Sequence, residues 1–357
     1  MARGSDENPP VTGRRGPAPT GRPTMRDVAS AASVSVKTVS RVVHNYPFIS
    51  DDVRGRVQAE IRRLGFRPNG HAVGLRRADR AAGGIGVLTA DVADPFYAGM
   101  LSAIEQVSTA RSFTTLVASS GEDPARERAL LSTFVERRLD GLIVVSADRA
   151  HDHLRPDLDV GTRIVFADRP PRRLPVDYVL AAHAEGARQA VAHLLAQGHT
   201  SIAHVGHSPA VHTARERLRG FRAALTDAGL TPRAVRTDAT DAEAAYRATA
   251  ELLSLDDAPT ALFTDNPPLV AGVARAIAES RAPRTALVAF DDSELARVLG
   301  VTVVAQDPRE LGKRAAELLF ARLDGARSRP RRVVLPTTLV PRGSGEGHGV
   351  ALRSTRR

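Results

Sequence analysis

The sequence predicts an α/β protein that carries a small all-α head, and three observations lead there. From residue 83 onward, short apolar runs alternate with amphipathic helical stretches, the pattern of parallel sheets covered by helices on both faces. Residues 24–66 instead show helical periodicity throughout, with capping residues at close intervals. Charge is uneven: of a net +10, residues 1–80 hold 15 Lys and Arg against 7 Asp and Glu, so a basic head precedes a nearly neutral body. At 357 residues the chain exceeds one ordinary core. Apolar residues at 42% and charged residues at 25% describe a soluble globular protein.

In chain order, residues 1–22 are rich in Pro, Gly and Arg and are expected to be a disordered basic tail. They contain no apolar stretch of a secretory signal, and no run approaches the ~18 apolar residues of a membrane helix. A cytoplasmic protein without a membrane partner is expected. Residues 23–67 form the head. Thr24 caps its first helix with Asp27 at N3, and Val28 and Ala32 share the inner face. Ser33 and Val34 make a tight turn, and Ser35 caps a second helix with Val39, Val42 and Val43 in one stripe. Ser50 caps a third helix, whose stripe is Val53, Val57, Ile61 and Leu64 and which Gly65 ends. Two helices joined by a tight turn on a basic three-helix unit form a helix-turn-helix. Residues 68–82 link head to body.

The body spans 83–342. Its apolar runs fall at 85–88, 114–118, 142–145, 164–167, 202–205, 261–264, 286–290 and 301–305. Helical stretches at 97–109, 124–138, 186–197, 215–228 and 242–253 separate them. That is more than one sheet needs, so two lobes with parallel sheets and a cleft are expected, with ligands at the carboxyl ends of strands. Residues 343–357 are Gly-rich and basic, without heptads, and are expected to be a flexible tail.

Several chemistries are missing. With no cysteine there are no disulfides, no thiol catalysis and no cysteine-ligated zinc. The P-loop, the G-x-S-x-G elbow and the G-x-G-x-x-G loop are absent. His204 and His207 have the spacing of a metal pair, but His204 lies inside a strand run and no neighbouring carboxylate in the sequence completes a set. Asp291 and Asp292 lack a partner for acid–base work and read as caps or ligand hydrogen-bonders. No catalytic residue, metal or cofactor is expected.

Residues 24–45, TMRDVASAASVSVKTVSRVVHN, resemble the lactose/galactose-repressor family, whose heads run close to T-I-x-D-V-A-x-x-A-G-V-S-x-x-T-V-S-R-V-L-N. The likeness continues through GFRPNGHAVGLRR, DPFYAGM and VAFDD, over about 24–342. It implies a periplasmic-binding-protein-like body, a DNA-binding head, a homodimer, a near-palindromic operator in double-stranded DNA, and a small polar effector between the lobes. Independently of the family, Val36 and Lys37 lie in the first turn of the second helix and Arg41 one turn later on the same face. Arg and Lys donate to guanine and Val meets a thymine methyl; a solvated or phosphate-contacting face is the alternative. Ser35, Thr38 and Ser40 suit phosphates, and His44 stands where the family ends the helix with Asn. Asn69 opens the matching hinge helix, and Leu75 matches its minor-groove wedge, although Gly70 and Gly74 disfavour a helix and a plain linker is the alternative.

Matching effector positions are Phe96, Asp168, Arg217, Asn266, Asp291 and Gln306. Asn266 could instead cap the following helix, and Asp168 could instead pair with Arg169. Ser33 replaces the turn glycine, Pro267 an Asp, and Ala239 the usual aromatic lid. The chain reads as a transcription regulator, a repressor rather than an enzyme, with a ligand-independent DNA-binding protein as the rival.

Overall fold

A computed structural model describes residues 23–43, 46, 48–64, 66, 83–148, 150–281 and 284–346. The chain divides into a unit of residues 1–81 and one of 82–357. In the first, α1 (Met25–Ala31), α2 (Val36–Val43) and α3 (Asp51–Leu64) enclose Val28, Ala29, Ala32, Val39, Val42, Val57 and Phe66. The capping box forms: the Thr24 amide and hydroxyl both donate to Asp27 at 2.7 Å, and the Asp27 amide donates to Thr24 Oγ1. Ser33 takes the left-handed turn at φ +51°, and the Thr38 amide donates to Ser35 Oγ at 3.1 Å. Gly65 lies outside the described residues.

The second unit holds two lobes of like design. One contains β1 (Gly84–Thr89), β2 (Thr114–Ser119), β3 (Gly141–Val144), β4 (Arg163–Ala167) and β5 (Asp177–Ala181). The other contains β6 (Ile202–Val205), β7 (Ala234–Arg236), β8 (Ala261–Thr264), β9 (Ala286–Phe290) and β10 (Thr302–Ala305). The last strands, β11 (Arg332–Leu335) and β12 (Thr338–Val340), complete one sheet each. The orders are β11-β5-β4-β3-β1-β2 and β12-β10-β9-β8-β6-β7, parallel except for β10 with β12. Helices α4 (Pro95–Ala110), α5 (Pro124–Glu136), α6 (Arg155–Asp159), α7 (His183–Ala196), α8 (His212–Asp227), α9 (Ala242–Leu253), α10 (Pro267–Glu279), α11 (Glu294–Val298) and α12 (Pro308–Leu323) connect them. The chain passes between lobes three times, at the β5–α7, β10–α12 and β11–β12 connections. No helix among the described residues is long and apolar enough to cross a membrane.

All eight apolar runs are strands. The four strands without such a run are short or polar, and long-range pairing explains β5: Asp177 opens it, and a bidentate bond to Arg322 at 2.7 and 2.8 Å neutralises that carboxylate. Part of the expected flexible tail is fixed. Ser344 is buried, its hydroxyl accepts from the Thr302 amide at 2.8 Å, and its carbonyl accepts from Leu287. The segment 343–346 is therefore a turn fastened to β9 and β10 of the second sheet.

Glycine sets how closely three helix pairs pack. A Cβ at Gly312 would overlap the Met100 carbonyl between α12 and α4, one at Gly220 the Ala184 carbonyl between α8 and α7, and one at Gly272 the Ala242 carbonyl between α10 and α9. Backbone cannot yield as a side-chain tip can. Gly220→Ala is expected to cost roughly 1–3 kcal/mol through overpacking, seen as a lower Tm of the body. An unchanged Tm would mean that α7 and α8 do not approach this closely.

Candidate functional site

The head and the body each present a surface. On the head, α2 exposes Val36, Lys37 and Arg41 along one side, with Ser35 exposed at the cap and Thr38 and Ser40 half-buried. Val39 and Val42 on the opposite side anchor the helix in the core. The Arg41 guanidinium lies over the Tyr46 ring at 5.7 Å, which extends it along the helix. His44, Asn69, Leu75 and the linker 68–82 lie outside the described residues.

In the body, a cavity of about 520 Å³ is lined by all six residues named from the sequence: Phe96, Asp168, Arg217, Asn266, Asp291 and Gln306. The parallel topology brings them there. Phe96 begins α4 behind β1, Asp168 ends β4, Asn266 ends β8, Asp291 ends β9 and Gln306 ends β10, while Arg217 reaches in from α8 behind β6. Asp168 and Asp291 occupy equivalent positions in the two sheets, and both are left-handed, at φ +64° and +67°. A non-glycine residue there is strained by about 1–3 kcal/mol. The backbone turn aims each carboxylate into the cleft.

Buried charges form a line across the cleft. Arg217 Nη2 donates to Asp291 Oδ2 at 2.9 Å, Nη1 donates to the Asp265 carbonyl, and the guanidinium lies 3.9 Å over the Phe290 ring. Arg217 Nε donates to His183 Nδ1 at 3.4 Å, and His183 Nε2 stands 3.7 Å from Asp168 Oδ1. Asp168 in turn lies 3.7 Å from Arg169, which donates to Glu122 at 2.5 and 2.7 Å. Burial pushes the carboxyls of Asp168 and Asp291 upward; Arg169 and Arg217 oppose this at Asp168, and Arg217 at Asp291. Burial and the Arg217 charge hold His183 well below its ordinary value, so it is neutral.

The line is incomplete as it stands. Within it Asp168 Oδ1, Arg169 Nε, His183 Nε2 and Asp291 Oδ1 are buried without a hydrogen-bond partner, and so on the cavity walls are Asp265 Oδ2, His207 Nδ1 and Gln306 Oε1. Each such group costs on the order of 1–3 kcal/mol. A guest rich in hydroxyl groups would supply donors to the oxygens and an acceptor to the guanidinium. Asn266 occupies the N-cap position of α10, yet its side chain makes no cap bond. Asp168 has Tyr97 and His183 beside it as well as Arg169, so it is no simple ion pair.

Sequence reasoning missed Arg169 as a site residue, along with Tyr97, Glu122, His183 and Asp265. Only the Asp168–Arg169 adjacency pointed to any of them. Ala239 is buried in the second lobe's core and does not line the cavity. His204 does have a carboxylate beside it, Asp265 at 3.3 Å, which directly follows β8 and is distant in sequence. The pair packs among Phe221 and Phe263. No cluster of three metal-binding side chains occurs among the described residues.

Two further histidines support the cleft's rim. His151 is buried, with Nε2 2.8 Å from Ser146 Oγ and Nδ1 accepting from the Arg172 amide; His212 opens α8. Burial lowers both to about 4 from 6.5. Between those values the unfolded chain binds more protons than the folded one, so stability rises with pH through that window. The raised Asp168 and Asp291 carboxyls act oppositely, since the folded state then holds their protons longer. The Tm is expected to fall as pH drops from 6.5 to 4, and His151→Gln, which keeps a donor and an acceptor, should make that slope shallower. An unaltered slope would remove His151 from the account.

Comparison with known proteins follows the same division. Residues 24–69 match the model for bacterial regulatory proteins of the lacI family, and residues 191–345 match that for a periplasmic binding protein-like domain. The ribose operon repressor of Haemophilus influenzae is 30% identical, over 90% of this chain and 98% of its own. The lac repressor dimer bound to operator and the anti-inducer ONPF is 27% identical with a TM-score of 0.74, over 91% of this chain and 99% of that one. A LacI family transcriptional regulator of Enterococcus faecium with bound ribose is 26% identical, TM-score 0.65, over 73% of this chain and 98% of its own.

Proposed function

The chain belongs to the lacI family of bacterial regulatory proteins and is a DNA-binding transcription regulator; we propose that it is a cytoplasmic, homodimeric repressor whose operator affinity is set by a small polyhydroxylated effector, a sugar or close relative, in the cleft. It has no enzymatic role in this reading. One observation carries the effector assignment: residues from both lobes converge on one cavity whose walls carry six buried polar atoms without a hydrogen-bond partner. The relatives support the class, since one is a ribose operon repressor and another was solved with ribose.

On the DNA side, α2 enters the major groove, with Lys37 and Arg41 on base edges, Val36 on a thymine methyl, and Ser35, Thr38 and Ser40 on phosphates. One recognition helix per chain selects too few base pairs for a genomic site, so two heads read a near-palindrome. His44 extends the contact, while Asn69 and Leu75 belong to the DNA-induced hinge. Arg41→Ala is expected to cost about 1–3 kcal/mol of discrimination between operator and random duplex, measured by fluorescence anisotropy at fixed salt. Retained discrimination would move the readout to another residue.

On the effector side, a thermal-shift screen of pentoses and hexoses, ribose among them, is expected to raise the Tm of the wild-type protein. Asp168→Asn and Asp291→Asn keep shape and remove the charged acceptor, and each should weaken the hit by tenfold or more, about 1.4 kcal/mol. A hit that stabilises all three proteins equally would place the ligand elsewhere, and no hit would favour ligand-independent binding.

A further inference from the structure

A second chamber of the cleft, about 400 Å³, adjoins the first and shares Glu122, Arg169 and Val211 with it. The two differ in charge. The first is acid-rich, with Asp91, Asp94, Asp168, Asp265 and Asp291 among its walls. In the second, Arg169 and Arg172 behind β4 meet Arg215 in the first turn of α8. Its acids are already engaged: Glu122 by Arg169, and Asp148 by Arg128 at 2.7 Å. Arg172 and Arg215 have no carboxylate within ion-pair reach among the described residues; Arg215 donates to the Pro209 carbonyl and to His212 Nδ1 at 3.0 Å.

Three further observations point to an anion. Arg169, 6% exposed, lines both chambers, and its Nε makes no hydrogen bond, with Asp168 3.7 Å away on the first-chamber side. No side chain caps α8, a 16-residue helix whose amino end borders the chamber. Burial first, then the guanidinium groups of Arg215, Arg169 and Arg172, hold His212 near 4 against the opposing pull of Glu216.

The chamber wall is also braced. Buried Glu127 accepts from the Ser146 hydroxyl at 2.6 Å and from the amides of Ala147 and Asp148. The Ser146 carbonyl accepts from Arg169 at 3.0 Å, and His151 Nδ1 accepts from the Arg172 amide at 2.8 Å. Because Nδ1 accepts, the His151 proton sits on Nε2 and points to Ser146. His151 therefore cannot take the serine's proton, and this Ser–His–Glu group positions the arginines and does no chemistry.

We propose that the second chamber binds a phosphate or carboxylate group of the effector, so that the effector is an anionic sugar: its hydroxyls in the first chamber, its charge between Arg172, Arg215 and the amino end of α8. The assignment rests on the sugar reading above and names its class.

The test is calorimetric titration of the full-length protein with ribose and ribose 5-phosphate, glucose and glucose 6-phosphate, and ribonate, at low salt. The anionic member of whichever pair binds is expected to bind at least about tenfold tighter, with ribonate telling carboxylate from phosphate. In the Arg172→Ala, Arg215→Ala double variant that ratio should collapse toward one. Inorganic phosphate alone should raise the His212 pKa, followed by NMR, in the wild type and not in the double variant. Equal binding of neutral and anionic sugars would overturn the anion chamber and leave the sugar reading intact, as would an anion preference surviving in the double variant. A phosphate effect on His212 in a protein that binds none of these sugars would uphold the chamber and overturn the sugar reading. Neither effect would overturn both.

Discussion

Charge buried between two lobes is the constraint around which the body is arranged. Asp291, Arg217, His183, Asp168, Arg169 and Glu122 succeed one another across the cleft, and the first five are each less than a tenth exposed. Removing such groups from water costs several kcal/mol per ion unless partners replace the solvent. The partners supplied are partial, because Asp291 Oδ1, His183 Nε2, Asp168 Oδ1 and Arg169 Nε stay without a hydrogen bond. The parallel sheets place these residues at strand ends, and the left-handed backbone at Asp168 and Asp291 turns both carboxylates inward. A polar guest that completes the set stabilises the arrangement it enters.

The same residues lie where the chain passes between lobes. His183 begins α7 directly after the first crossing, and Gln306 lies within the second, between β10 and α12. A ligand touching Gln306 and Asp168, against which His183 packs, acts on the segments about which the lobes would move. Its differential affinity for the arrangements of the lobes is what can shift their populations. Near the third crossing, Arg342 donates to Asp292 through two bonds of 2.9 Å, which ties the residue beside Asp291 to the segment that follows β12. Ligand site and connections are thus one network, which suits a switch better than a passive store.

How much of this could be read in advance depended on range. Local signals were dependable. The Thr24 cap, the Ser33 turn and the valine stripe are short-range, and so are the eight apolar runs that became strands. The cavity residues were legible because the family motifs mark strand ends, and the topology does the rest. What escaped depends on pairing across the chain. β5 begins with Asp177, which is tolerable only because Arg322 reaches it from α12. Ser344 reads as tail until it meets Thr302 and Leu287. His183 matches no motif, and its position between Arg217 and Asp168 exists only once both lobes have formed.

The central claim is that occupancy of the cleft and occupancy of the operator are coupled, and linkage makes this measurable from either side. Coupling of 1–3 kcal/mol would change affinity by roughly 5–150-fold, equally for each partner. The direct measurement is the Kd of the best-binding sugar for the free protein and for the protein saturated with its operator duplex. The account predicts Kd values that differ within that range, with operator affinity shifted by the same factor when sugar is saturating. Identical Kd values in the two states would contradict it, because a ligand that does not distinguish them cannot regulate DNA binding.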